Sequence, residues 1–441
     1  MEKVAKMSKR SMHLVAYLKT GPSVGHFGGW RHPEASLEMF DPRTYEHLAR
    51  LFEAAKFDGI FFADALGVIE TFKGSFDHYL RVGGQTSYLD PMIVLPLMAR
   101  VTTHLGLGAT ISSSLHHPYQ TARQLASLDM ISNGRAAWNV VTSTTDVEAQ
   151  NVGLSGIFPH DERYDRADEV LEACTALWRS WDSDPFVFDK EAGIFADPAK
   201  LHHANYEGRW IKTRGPLGVP RSPQGQPVIM QAGASDRGRQ FAARWAEMIF
   251  ATPGTDKETM RAHAEDMRHR LVAAGRDPSA CKLLMGITPI IGETESIARE
   301  RAEYLDSLQD PQSDIAYAST NSGADLTRYK TAEEIIRARG HQGSHSATET
   351  LKRKALQENM SVERASAKRQ VEEALIGTPS MIADMLEDLF LSRACDGFIL
   401  RPMTIPTSYE QFCRAVTPEL QRRGLFRKEY SASTLRGHLQ D

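Results

Sequence analysis

An α/β barrel of eight strand–helix units is the fold this sequence predicts, on three observations. Eight short apolar runs recur along the chain, most of them followed by a helical pattern, and that alternation requires parallel pairing with right-handed crossovers. Four of the runs turn polar where they end: Phe62-Ala63-Asp64, Ala109-Thr110-Ile111-Ser112, Asn139-Val140-Val141-Thr142-Ser143 and Met230-Gln231-Ala232-Gly233. Polar groups that finish buried strands are costly unless they meet a partner or a ligand, and a barrel collects its ligand groups at the strand C-termini. Finally, eight units suit a closed (β/α)8 TIM barrel better than an open sheet, whose edge strands are usually more polar.

The candidate strands, in order, are 13–18, 59–63, 105–111, 136–142, 227–231, 248–251, 283–291 and 397–400. Before the second, Tyr45, Leu48, Ala49, Phe52 and Ala55 fall on one helical face. After the fourth, Val170, Leu171, Cys174, Leu177, Trp178 and Trp181 form an apolar stripe on a helix otherwise carrying Asp168, Glu169, Glu172 and Arg179. The chain 1–441 reads as a single barrel domain with two insertions, 144–226 after strand four and 292–378 before strand eight. Long segments that follow barrel strands are expected to be lids or binding loops. The tail LFRKEYSASTLRGHLQD shows no core face and reads as an arm packing on a neighbouring molecule.

The 441 residues are 41% hydrophobic and 24% charged, with 52 basic against 56 acidic side chains and a net charge of −4. Nothing in that balance favours nucleic acid or an anionic membrane as partner. Cys174, Cys281, Cys395 and Cys413 lie far apart without a CxxC pair, which fits a reducing cytoplasm better than a disulfide framework. The start, MEKVAKMSKRS, has no apolar stretch of the signal-peptide kind, and no window approaches a spanning helix. A cytoplasmic protein is expected.

Gln231-Ala232-Gly233-Ala234-Ser235-Asp236-Arg237-Gly238 reads as strand, small-residue turn and helix. Gly233 permits close backbone approach and Ser235 is placed to cap the helix; the free N–H groups of such a start hold an anion, commonly a phosphate, although an ordinary capped helix has the same pattern. His160 and Tyr164 are four apart and share a face if the helix has begun, which suits a phosphate or a ring edge as well as a solvated first turn. Gly25-His26-Phe27-Gly28-Gly29-Trp30-Arg31-His32-Pro33 suggests a loop draped over a ligand, with His26 able to manage a proton near neutral pH. Asp64 ends an apolar strand and serves either a ligand or as a staple for neighbouring loop N–H groups. His116-His117 and His202-His203 are adjacent pairs, poor chelates, and no metal site is expected.

Taken together, MHLVAYL, GGWRHP, KFDGIFFAD, HLGLGATIS, HPYQTARQLASLDMISNGRAAWNVVTS, HDERYDRADEVLEA and PVIMQAGASDRGRQFAARWAE resemble the bacterial-luciferase-like flavin monooxygenases. The chain is most similar to the nitrilotriacetate, EDTA and dibenzothiophene-sulfone monooxygenase family, and GTPSMIADML, DGFIL and LFRKEY…TLRGHL extend the match to residue 438. The resemblance implies a barrel of the bacterial luciferase type that binds reduced FMN at the strand C-termini. Asp64, Ser112, Asn139 and Thr142 would lie along the isoalloxazine, and His160, Tyr164, Gly233, Ala234 and Ser235 would hold the phosphate. Phe61 and Phe250 would wall the substrate pocket, and His26 would handle protons at the oxygen adduct.

It also implies two-component chemistry. A separate NAD(P)H-dependent flavin reductase supplies FMNH2, O2 adds to give a peroxyflavin, and one oxygen atom enters a small organic compound. Family members commonly form homodimers or homotetramers. The sulfone-cleaving branch places a histidine before strand eight, where this chain offers Asn321 in Ala318-Ser319-Thr320-Asn321-Ser322-Gly323. No cluster of Arg and Lys marks a polycarboxylate pocket; Arg401, after strand eight, is the single candidate. The expected function is an FMNH2-dependent monooxygenase cleaving a C–S, C–N or C–halogen bond in an organosulfur compound, an amine or a halogenated aromatic, as in xenobiotic degradation. The alternatives are a deazaflavin-dependent oxidoreductase on the same barrel and a non-catalytic flavin-binding protein.

Overall fold

In the computed structural model the described residues are 10–22, 24–84, 86–251, 256–331, 334, 351, 356, 361–366 and 370–440. Eight parallel strands close into a barrel: β1 (His13–Leu18), β2 (Gly59–Phe62), β3 (Gly106–Ser112), β4 (Ala136–Val141), β5 (Val228–Gln231), β6 (Met248–Ala251), β7 (Lys282–Ile287) and β8 (Gly397–Leu400). Each pairs with its neighbours in sequence, and β8 returns to β1. Strand alternation sorts the side chains: Val15, Phe61, Ala137, Met230, Phe250, Leu284 and Ile399 fill the lumen, while Leu14, Ala16, Leu18, Ile60 and Phe62 join the larger core under the helices.

The helices start where their chemistry says they should. Asp41 and Asp90 cap α1 (Pro42–Ala54) and α2 (Pro91–Arg100) by accepting the N–H of Arg43 and Met92. In both, as in α3 (Pro118–Ile131), proline occupies the first turn, where its missing N–H is not needed. The predicted stripe on α1 is buried through Tyr45, Leu48, Ala49 and Phe52. On α4 (His160–Trp178) Val170, Leu171, Cys174, Leu177 and Trp178 are buried, whereas Trp181, expected on the same helix, lies past its end and is half-buried; Trp178 Nε1 donates to the Ala122 carbonyl of α3 at 3.0 Å.

The two insertions differ in what they pack on. Within 144–226, the helix Asp146–Asn151 follows the C-terminal end of β4. Beyond α4 come two hairpins, Phe186–Asp189 with Ile194–Ala196 and Tyr206–Glu207 with Lys212–Thr213. The second is fastened to α4 by Glu169, whose carboxylate accepts the N–H groups of Arg209, Trp210 and Ile211. In the other insertion the run 283–291, expected as one strand, is two: β7 stops at Ile287, and Pro289–Ile291 pairs in parallel with Leu375–Gly377 outside the barrel. Proline has no N–H to continue the ladder, so the chain changes sheet there. Between these two short strands run α5 (Glu295–Ser307) and α6 (Ser313–Ser322). Much of the remainder, including 335–350 in the middle of the expected lid, lies outside the described residues.

The tail corrects an expectation. Rather than packing on a neighbouring molecule, it folds back under its own barrel, where Leu435 and Leu439 join the lumen core. Arg436 clamps it to Glu247 at 2.6 and 2.9 Å, and the His438 ring nitrogen lies 2.9 Å from the His104 carbonyl. Two leucines one turn apart, set among polar residues, give too faint a pattern to read as a core face. The Leu435→Ala variant is expected to lose about 3 kcal/mol of unfolding free energy by denaturant titration. A loss under 0.5 kcal/mol would mean that the floor of the barrel does not depend on this plug.

Candidate active site

The inward-facing residues change character at the C-terminal ends of the strands. Phe61 and Phe250 come from β2 and β6, four strands apart in a ring of eight and therefore opposite. They meet across the lumen as a stack with centroids 4.5 Å apart, and Tyr17 packs edge-on to Phe61 at 5.2 Å. These aromatics close the greasy interior. Next to them, Asn139 Nδ2 donates to Thr110 Oγ1 at 2.9 Å across paired positions of β3 and β4. Asn139 is 4% exposed, and its Oδ1 is buried without a hydrogen-bond partner among the described residues. So is Gln231 Oε1 at the end of β5. Buried acceptors left open are rare, because each costs the desolvation of a polar group.

A second cluster adjoins the first through Thr142. The Tyr164 hydroxyl lies beside Ser235 at the Gly233–Gly238 turn, near enough to interact with the Ser235 and Thr142 hydroxyls. Ser235 caps α7 (Asp236–Trp245), its Oγ accepting the Gly238 N–H at 3.1 Å, as the sequence predicts. Burial pushes the Tyr164 phenol up, so it stays protonated and able to donate. The turn needs its glycine for space: a Cβ on Gly233 would come 2.3 Å from Gln231 Nε2 and 2.7 Å from the Tyr164 oxygen. The His160 ring lies 5.3 Å from that of Tyr164, while Ala234 is exposed on the turn. Thus His160, Tyr164, Gly233 and Ser235 come together around one helix start, and Ser112, Asn139 and Thr142 line the adjoining strand ends.

Several contributors to this region escape sequence reading. Glu148 reads as part of a solvated turn, yet it is 7% exposed, with Ser143 Oγ at 3.1 Å, the Thr145 hydroxyl at 2.8 Å and the Leu66 N–H at 3.3 Å. Ser143 Oγ is also 2.9 Å from Ser112 Oγ, so one carboxylate ties the ends of β3 and β4 to the loop after β2. Arg163, in what looks like a charged first turn, is 1% exposed and donates to the Ser143 carbonyl. Lys19 keeps the inward phase of Val15 and Tyr17, a signal that was available. Burial pushes its ammonium down to about 8, partly offset by Asp64 and Glu148.

Asp64 shares that environment. Burial pushes its carboxyl up to about 6, against hydrogen bonds from Ser87 and the Ala65 N–H and the nearby Lys19. A carboxyl raised by folding is not penalised below its unfolded pKa near 4, and the penalty grows until pH passes about 6. Asp64→Asn is therefore expected to stabilise the protein by about 1–2 kcal/mol at pH 7.5, after solvent screening, and not at pH 4. An equal effect at both pH values, from melting curves, would refute this account.

The remaining expected residues sit above, in the seam between the loop after β1 and the insertion. His26 is 1% exposed; its Nδ1 accepts the Gly28 N–H at 3.1 Å, and its Nε2 is buried without a hydrogen-bond partner among the described residues. Burial pulls its pKa down to about 4, with Asp306 opposing. The side chain is thus a neutral N–H donor at neutral pH, not a group poised near 7. Asn321 lies on α6 one turn from Tyr317, on the same face, and Tyr317 packs against Phe27 with centroids 5.5 Å apart. Among the described residues no three His, Cys, Asp or Glu side chains are grouped to hold a metal ion, and no helix is long and apolar enough to cross a membrane.

Comparison with known proteins agrees with the barrel fold. The profile of a family described as luciferase-like monooxygenase matches residues 23–394. A dibenzothiophene-sulfone monooxygenase from Rhodococcus erythropolis (strain XP) is 42% identical, over 98% of this chain and 97% of its own. Component A of a nitrilotriacetate monooxygenase from Aminobacter aminovorans is 38% identical over 94% and 93%. Among solved structures, a riboflavin lyase with modified FMN and its substrate riboflavin superposes with a TM-score of 0.89 at 32% identity, covering 98% of this chain and 96% of that one.

Proposed function

The chain belongs to the luciferase-like monooxygenase family and is a flavin-dependent monooxygenase, and from that premise we propose that it works on FMNH2 delivered by a separate NAD(P)H-dependent flavin reductase. Bound reduced FMN supplies the two electrons with which one atom of O2 enters the substrate and the other leaves as water. The observation that carries the reading is the Tyr164 hydroxyl, which lies close over the Gly233 turn, 2.7 Å from where a Cβ on Gly233 or Gly238 would be, beside the Ser235 cap.

Around it, His160, Tyr164, Ser235 and the first N–H groups of α7 would hold the phosphate. The open Asn139 Oδ1 and Gln231 Oε1, with Ser112, Thr142 and Asp64, offer polar atoms for the edge and face of the ring system. Phe61 and Phe250 keep water from rising through the lumen, and His26 donates from above. The substrate class is a small organosulfur compound, amine or halogenated aromatic, cleaved beside the oxidised atom. Mixed anaerobically with photoreduced FMN and then exposed to oxygen, the protein is expected to slow reoxidation relative to free FMNH2. Reoxidation at the free rate would sink the reading and advance a deazaflavin cofactor or a non-catalytic role.

A further inference from the structure

Arg401 follows β8, and the alternation that turns Ile399 into the lumen turns Arg401 the same way, one layer higher. In register, Ala16 pairs with Leu400, so Tyr17 and Arg401 are the next residues out on adjacent strands. Arg401 is half-buried, and its Nε is fully enclosed with no hydrogen-bond partner among the described residues. Arg135 shows what a purely structural buried arginine looks like in this protein: it donates to the carbonyls of Ala99, Thr102, Leu105 and Ser132. The charge on Arg401 and the Tyr317 hydroxyl of α6 both act on the Tyr17 phenol, which burial holds in its protonated, donating form. Guanidinium and phenol thus stand side by side on adjacent strands at the mouth, Tyr17 packing edge-on to Phe61 at 5.2 Å, with Tyr317 of α6 near enough to act on the Tyr17 phenol.

We propose that Arg401, with Tyr17 and Tyr317, forms an oxyanion grip that selects substrates bearing a carboxylate or sulfinate group next to an apolar, ring-sized body. Guanidinium matches the two oxygens of either group with parallel hydrogen bonds, and the phenols donate to the remaining lone pairs. The assignment rests on the reading of the barrel mouth as the substrate chamber.

Calorimetric titration of the full-length protein with benzoate and benzenesulfinate, against benzamide and methyl phenyl sulfone, tests it. The wild type should bind the two anions more tightly than their neutral counterparts. Arg401→Gln should lose about 10- to 100-fold in anion affinity with little change for the neutral pair. Arg401→Lys, Tyr17→Phe and Tyr317→Phe should each lose several-fold, and they decide the matter should Arg401→Gln not fold. Equal affinities for charged and neutral probes, no anion binding up to millimolar concentration, or anion binding indifferent to these substitutions would overturn the grip. An anaerobic FMNH2 titration of the same proteins separates the two readings: wild type that fails to bind FMNH2 defeats the proposed function, whereas the probe affinities still decide the grip.

Discussion

Gly233→Val is expected to abolish tight FMNH2 binding and to lower turnover by about two orders of magnitude, with little change in thermal stability. The turn has no space for a side chain, since a Cβ there would lie 2.3 Å from Gln231 Nε2 and 2.7 Å from the Tyr164 oxygen. Gln231 can swing its amide aside and let the empty protein fold. The same movement would displace one open acceptor and push the Tyr164 hydroxyl away from Thr142 and Ser235. A misplacement on the order of 1 Å at a binding constellation is enough for a loss of about 100-fold. Ala232→Val, on the exposed preceding residue of the same turn, is the control and should behave as wild type. Anaerobic titration with FMNH2 beside a melting curve checks the pair; unaltered affinity in Gly233→Val would remove this turn from the cofactor site.

The second large effect lies at the opposite end of the barrel. Asp58 is wholly buried, with Arg427 Nη2 at 2.6 Å, His13 Nδ1 at 2.8 Å and the Leu14 N–H donating at 2.8 Å. Burial pushes its carboxyl up, but Arg427, His13 and these hydrogen bonds more than offset that and hold it well below the usual carboxylate range. Asp58→Asn keeps the shape and removes the countercharge of a guanidinium that is itself 7% exposed. Breaking a buried pair from one side costs about 3–5 kcal/mol, so the variant should unfold at much lower denaturant. Because the folded pKa is depressed, the carboxylate stabilises fully above its unfolded pKa near 4 and progressively less as pH falls toward the folded value. The gap between wild type and variant should therefore be flat from pH 5 to 8 and narrow below about pH 4. A gap that widens on acidification would contradict the charge assignment.

What could be read from the sequence and what could not divide along physical lines. The eight strands were legible because buried parallel strands are short apolar runs, and their ends because Asn139, Thr142 and Ser112 are the wrong residues for a core. The cap at Ser235 and the apolar stripe of α4 were legible for the same kind of local reason. Glu148 and Arg163 were not: each lies in a polar stretch that looks solvated, and only the tertiary structure buries it against Ser143. The break at Pro289 was readable in principle, since proline cannot extend a ladder, but the apolar run continues past it and hid the boundary. A histidine's ordinary near-neutral pKa makes His26 a proton-handling candidate from sequence, and its burial removes that property while leaving a donor. The Arg401 grip needs β1, β8 and α6 together, a coincidence of three distant segments that no local pattern encodes.

The pairing of Pro289–Ile291 with Leu375–Gly377 has a consequence for how such a protein can change over generations. Those two short strands fasten the departing and returning ends of the insertion to one another, so the intervening chain closes a loop whose ends are already fixed. Closure entropy grows only with the logarithm of loop length, about 0.6 kcal/mol for each doubling. Residues can be gained, lost or exchanged between these strands at little thermodynamic penalty to the barrel below. Selection is then free to reshape this segment while the barrel beneath it stays the same.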